Sequence, residues 1–326
     1  MASVEFKHPR IAPVFTGAFA AHATVLADDL GLFRALADTA LTDHDLDRPP
    51  WVENRIRIEG VLNTLCRIDA VRRTADAYRL TDFGLELGRQ APVFRLWLGG
   101  YASVLADQIS GAVDPRSGVR GGVVAESSSQ IGSRYIDETF IQLVDSLQPA
   151  GRICDLGCGT GRRLLKICRE TGQPGLGYDI SADAIRAAQA TVAEARGLGI
   201  DLEINQGDAT TLPRNVSGVD IVTQAFMTHH IAPDDYCTAV LASYRVRFPG
   251  ARYLVVFDTV SSSDPEHPEL FAPGFDYIHA LQNMEPRSRA DALRIFDEAG
   301  YSCQQELELA VPNSYAWVLK FGSDGP

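Results

Sequence analysis

Ile153-Cys-Asp-Leu-Gly-Cys-Gly-Thr-Gly161 reads as a short apolar strand that runs through a turn with three glycines into a helix starting at Arg162. Glycine accepts positive φ and has no Cβ, so a ligand can lie almost against the backbone of such a turn. The N–H groups at the start of the following helix add a weak positive field. Alone the pattern is moderately specific, because a dinucleotide-binding turn prefers G-x-G-x-x-G.

Two downstream segments narrow the reading. Gly175-Leu-Gly-Tyr-Asp-Ile180 is a second short strand, ending where a parallel neighbour would present Asp179 to both hydroxyls of a ribose. Leu202–Ala209 is a third, and its end offers Asp208 to the exocyclic amine of an adenine. This series in register resembles the class I S-adenosylmethionine-dependent methyltransferases. The resemblance implies an α/β, Rossmann-like fold with a seven-stranded sheet. It also implies a donor site built from Asp155, Gly157, Cys158, Gly159, Gly161, Asp179, Ile180, Asp208, Ala209 and Gln224.

The remaining pattern agrees. Beyond residue 151, strands at 152–156, 175–180, 202–208, 219–226 and 252–259 alternate with helical stretches, which implies a mostly parallel sheet with helices on both faces. A hairpin around Pro312-Asn313 closes the sheet edge. At 326 residues the chain is too long for one ordinary core. The expected division is residues 1–90, a helical connector and lid over 91–150, and the donor-binding domain over 151–326. Residues 11–40 and 54–68 carry apolar positions at helical spacing, and two short strands follow at 70–74 and 78–81. Helix, helix and a two-stranded ribbon outline a winged helix.

Composition decides what that module does. A net charge of −12 argues against DNA or RNA, whose binding needs a basic surface to displace counterions. The version that dimerises and roofs a small-molecule pocket is therefore expected over a cofactor-sensing DNA reader. The six cysteines include no C-x-x-C pair, which suits a reducing compartment. The charged N-terminus and the lack of an apolar run of about 18 residues point to a cytoplasmic protein with no membrane partner.

Acceptor chemistry is sought at the carboxyl ends of the later strands. The strand Val219–Phe226 runs into Met227-Thr-His-His230, a segment that resembles the winged-helix O-methyltransferases. There the histidine matching His229 takes a proton from a phenol. His230 and Ile231 depart from that family's acid and tryptophan, and His279 stands on a segment where the family carries apolar residues. Two histidines brought to one pocket from separate elements suggest a metal ion.

Phe226-Met-Thr-His229, Phe248-Pro-Gly-Ala-Arg252 and Pro273-Gly-Phe-Asp-Tyr-Ile-His279 resemble a smaller family, the metal-dependent 2-oxo acid C-methyltransferases. The phenylpyruvate methyltransferase of mannopeptimycin biosynthesis is a member. The resemblance covers most of the chain and implies iron or zinc held by His229 and His279, chelated by the keto oxygen and carboxylate of the substrate. A cation at the C2 oxygen stabilises the enolate formed when C3 loses its proton. His230 again aligns with an acid, and sequence leaves open whether it is a ligand, a base or neither.

Arg116 and Arg120 are candidates to hold the substrate carboxylate, with position in the family favouring Arg120. Phe226, Met227, Phe271, Phe275 and Tyr277 would make the pocket apolar, suited to a branched aliphatic or aromatic side chain. Asp258 is either a partner orienting a histidine or a turn cap. The cluster 264–269 reads as a solvated loop. The implied product is a building block for a peptide natural product. The rival reading is a metal-free O-methyltransferase with His229 as general base.

Overall fold

The structure, a computed structural model, describes residues 10–110, 119–261 and 272–321. The chain forms two compact units, Met1–Leu98 and Gly99–Pro326.

The first unit contains helices α1 (Ile11–Asp29), α2 (Leu32–Asp38), α3 (Asp43–Leu46), α4 (Arg55–Cys66) and α5 (Asp82–Arg95), with strands β1 (Leu41–Thr42), β2 (Val71–Arg73) and β3 (Ala77–Leu80). Gly31, at φ +72°, makes the sharp turn from α1 into α2. Thr42 and Asp45 form a reciprocal capping box on α3. The strands pair in the order β1-β3-β2, all antiparallel. β1 is an addition to the expected two-stranded ribbon. Two residues carry too little alternation to register as a strand.

α1 is inverted relative to an ordinary amphipathic helix. Its buried face is made of Ala20, Ala23, Thr24 and Ala27. Val14, Phe15 and Phe19 are 74%, 67% and 58% exposed. This helix is long and apolar enough to cross a membrane by length and composition alone. This differs from the expectation that no apolar run of about 18 residues occurs.

The second unit begins with helices α6 (Ala102–Ser110), α7 (Gly121–Tyr135) and α8 (Asp137–Ser146). There follow β4 (Arg152–Leu156), α9 (Arg162–Thr171), β5 (Gly175–Asp179), α10 (Ala182–Gly197), β6 (Leu202–Gln206), β7 (Val219–Ala225), α11 (Asp234–Arg247), β8 (Tyr253–Thr259), α12 (Ala272–Leu281), α13 (Arg289–Glu298), β9 (Tyr301–Glu308) and β10 (Ser314–Phe321). The seven strands run in the order β6-β5-β4-β7-β8-β10-β9. All neighbours from β6 to β8 are parallel, and β10 is antiparallel to both β8 and β9. This is the Rossmann-like sheet expected from the alternation.

β7 is buried along its whole length, as a central parallel strand covered on both faces must be. Strand order reverses between β4 and β7, and a crevice opens at such a switch point beyond the carboxyl ends of the strands. The two segments singled out by sequence, the glycine turn after β4 and Phe226–His230 after β7, therefore meet there.

Candidate active site

The glycine turn is built as its composition demands. Gly157 and Gly161 have φ of +74° and +71°, a region that costs L-residues roughly 1–2 kcal/mol each. A Cβ on Gly157 would stand 3.1 Å from Cγ of Met227, so this glycine also lets the turn lie against the segment after β7. Gly157 and Cys158 donate their N–H groups to the Tyr178 carbonyl at 2.8 and 3.0 Å. Asp179 accepts from Gly159 N–H at 2.8 Å and from Ser181 N–H at 2.9 Å, and burial raises its pKa. Beside it Ile180 is 68% exposed, open to a ligand above the turn.

Asp208 closes the turn after β6 by accepting from the Thr210 N–H and hydroxyl, and Ala209 packs against the core. Two other residues expected at the donor site are drawn inward. Asp155 is buried, accepts from the Thr223 hydroxyl at 2.7 Å, and is pushed up to about 6 by burial. Gln224 is fully buried, donating to Tyr244 Oη and accepting from the Thr228 hydroxyl.

The histidines converge. Phe226, at φ +54°, turns the chain out of β7 into a single 3₁₀ turn, Thr228–His230. α12 brings His279 to the same place. Ring centroids lie 4.1 Å apart for His229 and His230, 4.9 Å for His229 and His279, and 5.3 Å for His230 and His279. One ligand atom from each lies within 4.8 Å of the others. His229 and His279 are buried and His230 is exposed, so the cluster has one open side.

The outer contacts of the two buried rings fix their tautomers. His229 Nδ1 pairs with Asp258, whose carboxylate also accepts the N–H groups of His229 and Thr259, both at 2.9 Å. Asp258 thus performs both of its expected roles, orienting the histidine and capping the turn. His279 Nδ1 lies 2.6 Å from the Phe275 carbonyl oxygen, an acceptor only, so the ring must donate there. Burial lowers His229 to about 3 and His279 to about 4, which keeps both rings neutral. Burial likewise raises Asp258 to about 6.

Each neutral ring then turns a lone pair on Nε2 towards the cluster. Nε2 of His279 is buried without a hydrogen-bond partner among the described residues, a state that costs about 1–3 kcal/mol unless something occupies it. Neutral imidazoles with carboxylate or carbonyl oxygens behind them are the usual setting of histidine metal ligands, and this donor set fits a first-row cation.

Phe275 is buried edge-on to His229, with ring centroids 5.0 Å apart, whereas Tyr277 is 59% exposed. Arg120 lies at the start of α7, exposed, with its backbone N–H bonded to the Gly100 carbonyl. Arg116, Phe271 and the 264–269 cluster lie outside the described residues.

Sequence reasoning passed over Arg287. Its guanidinium, nearly buried, bonds the carbonyls of Thr228 and Ile231 and the carboxylate of Asp234 around the histidine turn. An arginine between two helices carries no periodic signal, and its partners lie more than 50 residues away in the chain.

Comparison with known proteins shows the family and the fold. The model of the methyltransferase domain family matches residues 153–250. The indolepyruvate C-methyltransferase of Streptomyces griseus is 65% identical over 327 residues, covering 100% of this chain and 99% of that protein. The chain belongs to the S-adenosylmethionine-dependent methyltransferases. A methyltransferase of Aspergillus campestris is 29% identical, covering 90% of this chain and 92% of its own. Among solved structures, human N-acetylserotonin methyltransferase in complex with S-adenosylmethionine superposes with a TM-score of 0.68 at 18% identity, covering 99% of this chain and all of that one. The calicheamicin-pathway methyltransferase CalO1, bound to S-adenosylhomocysteine, gives 0.62 at 17%, covering 95% and 97%. At such identities these two show the fold alone.

For a methyltransferase the arrangement is economical. Met227, packed against the glycine turn, is followed two and three residues later by His229 and His230.

Proposed function

We propose that this methyltransferase alkylates C3 of an aromatic 2-oxo acid, with indolepyruvate as the first substrate to test. The observation that carries the reading is the buried, neutral histidine pair with an unpartnered Nε2 on His279, at the sheet's switch point. The 65% identity to an indolepyruvate C-methyltransferase over the whole chain supports the substrate class.

His229, His230 and His279 would hold a cation such as iron or zinc, His230 completing the set from the open side. When bound, such a cation supplies Lewis acidity that favours negative charge on a keto oxygen and so acidifies the neighbouring C–H bond. The protein's own part is to keep the imidazoles neutral, to orient them through Asp258 and the Phe275 carbonyl, and to exclude water with Phe275. Arg120 suits the substrate carboxylate as a guanidinium fork. C3 gives its proton to solvent at the open side beside His230, and the electron pair left on C3 takes up the methyl carbon while the S–CH3 pair stays on sulfur as S-adenosylhomocysteine. Alignment of these atoms in one crevice removes part of the entropic barrier.

The exposed apolar face of α1 supports a homodimer through the N-terminal unit, read as the winged-helix module. The reading further places the enzyme in the cytoplasm, supplying a methylated amino acid precursor for a peptide natural product.

Incubation with S-adenosylmethionine and indolepyruvate, phenylpyruvate or a phenol, with and without chelator, tests the reading. The expected product shows a methyl doublet coupled to C3–H in its proton spectrum, formed only in metal-replete protein. An O-methyl singlet from chelator-treated protein would restore the O-methyltransferase alternative, which the indolepyruvate enzyme's similarity disfavours.

A further inference from the structure

Arg287 stands in the link between α12, which carries His279, and α13. Its guanidinium is 10% exposed and reaches across to the turn that carries the other two histidines. Nε donates to Asp234 Oδ1 at 2.8 Å, Nη1 to the Thr228 carbonyl at 3.0 Å and Nη2 to the Ile231 carbonyl at 2.5 Å. Its own carbonyl accepts from Ser261 N–H at 2.8 Å, just past the strand that delivers Asp258. One residue therefore joins three segments distant in sequence: the His229–His230 turn, the chain after β8 and the chain after α12.

We infer that Arg287 is a positioning residue that locks the His229–His230 turn in register with His279, so that the three imidazoles are pre-assembled for a cation. This rests on the reading of the three histidines as a cation site. The turn has little strength of its own. Its return bonds are His230 N–H to Met227 O and Ile231 N–H to Thr228 O, at 3.0 and 3.1 Å. Thr228 and Ile231 are buried, so without the guanidinium their carbonyls lose a charged donor that water replaces poorly. The planar fork matters because three acceptors at fixed separations must be met at once, which a lysine ammonium on a flexible stem does not do. Asp234 also accepts on its other oxygen from Arg294 at 2.8 Å.

The test uses the full-length protein and Zn2+ as probe, in competition with a chromophoric chelator, alongside calorimetric affinity for S-adenosylhomocysteine. Arg287→Gln and Arg287→Lys should each weaken Zn2+ binding by about 10–100-fold, the usual effect of removing a partner that orients ligands. Asp234→Asn should weaken it by about tenfold, the low end of that range. Affinity for S-adenosylhomocysteine should stay within twofold in all three, and the visible spectrum of the Co2+ form should change. Zn2+ affinity of Arg287→Gln within twofold of wild type overturns the inference. Should that variant not fold, the same result for Asp234→Asn overturns it. His279→Ala is the separate control: unchanged Zn2+ affinity there sinks the cation site itself.

Discussion

His279 Nδ1 lies 2.6 Å from the carbonyl oxygen of Phe275, one helical turn back, and this contact decides which ring nitrogen faces the cluster. A carbonyl only accepts, so Nδ1 carries the proton and Nε2 keeps its lone pair. The same backbone that makes α12 a helix thus leaves Nε2 with a free lone pair.

Replacing His279 should separate cation binding from donor binding. His279→Ala should lower Zn2+ affinity by more than about 100-fold, beyond the usual loss for an orienting partner, and abolish turnover. S-Adenosylhomocysteine should bind as in wild type. His230→Ala should weaken Zn2+ too; if affinity holds while kcat falls and the pH profile moves, His230 is a base and not a ligand.

Asp155 makes the protein's stability depend on pH in an unusual direction. Burial moves it from 3.8 to about 6, so within that window the folded chain holds a proton that the unfolded chain has released. Stability contributed by this group is therefore present below pH 3.8 and lost as pH rises to about 6. Above that, ionised Asp155 costs up to about 3 kcal/mol at roughly 1.4 kcal/mol per pH unit. Asp155→Asn should melt higher than wild type near neutral pH, and the two melting curves should converge in acid. A gap of the same size at every pH contradicts this origin.

Gly157→Ala imposes a left-handed φ on alanine and a Cβ 3.1 Å from Met227 Cγ. The expected cost is about 1–2 kcal/mol of stability. Donor affinity should fall on the order of tenfold, equivalent to about 1.4 kcal/mol. Thermal melts and donor titration read the two effects, and an alanine variant that binds donor like wild type removes the glycine turn from the donor site.

Arg120→Ala should raise KM for the 2-oxo acid by about 10–100-fold, the weight of a hydrogen bond to a charged group at about 1.5–3 kcal/mol. Arg120→Lys should recover part of it, and donor affinity should not change. Equal KM values in wild type and alanine variant would assign the carboxylate to another cation.

Phe15→Glu combined with Phe19→Glu should turn a dimer into monomers, since both rings are more than half exposed on α1. Light scattering after size-exclusion chromatography measures the mass directly. A wild-type protein that runs as a monomer at micromolar concentration ends the dimer proposal.

Most of the fold was legible in the chain because it is written in local terms. Glycines at 157, 159 and 161, strands of five to seven residues and helices at 3.6-residue spacing each report on their own neighbourhood, and the doubly wound sheet follows from their alternation. The histidines could be named, since few residue types bind metals, and their separation by 50 positions did not hide them. What no segment could announce was their state. Whether His279 Nε2 is free, whether His229 is backed by a carboxylate, and whether His230 joins them depend on where β7, β8 and α12 are placed relative to one another, and long-range packing sets that. The same holds for Arg287, whose three acceptors come from residues 228–234, and for Asp155 and Gln224, drawn into the interior by Thr223 and Tyr244. Sequence specifies which groups are present and which local shapes they prefer. Only tertiary structure decides which are desolvated and what faces them, and desolvation is what keeps these imidazoles neutral.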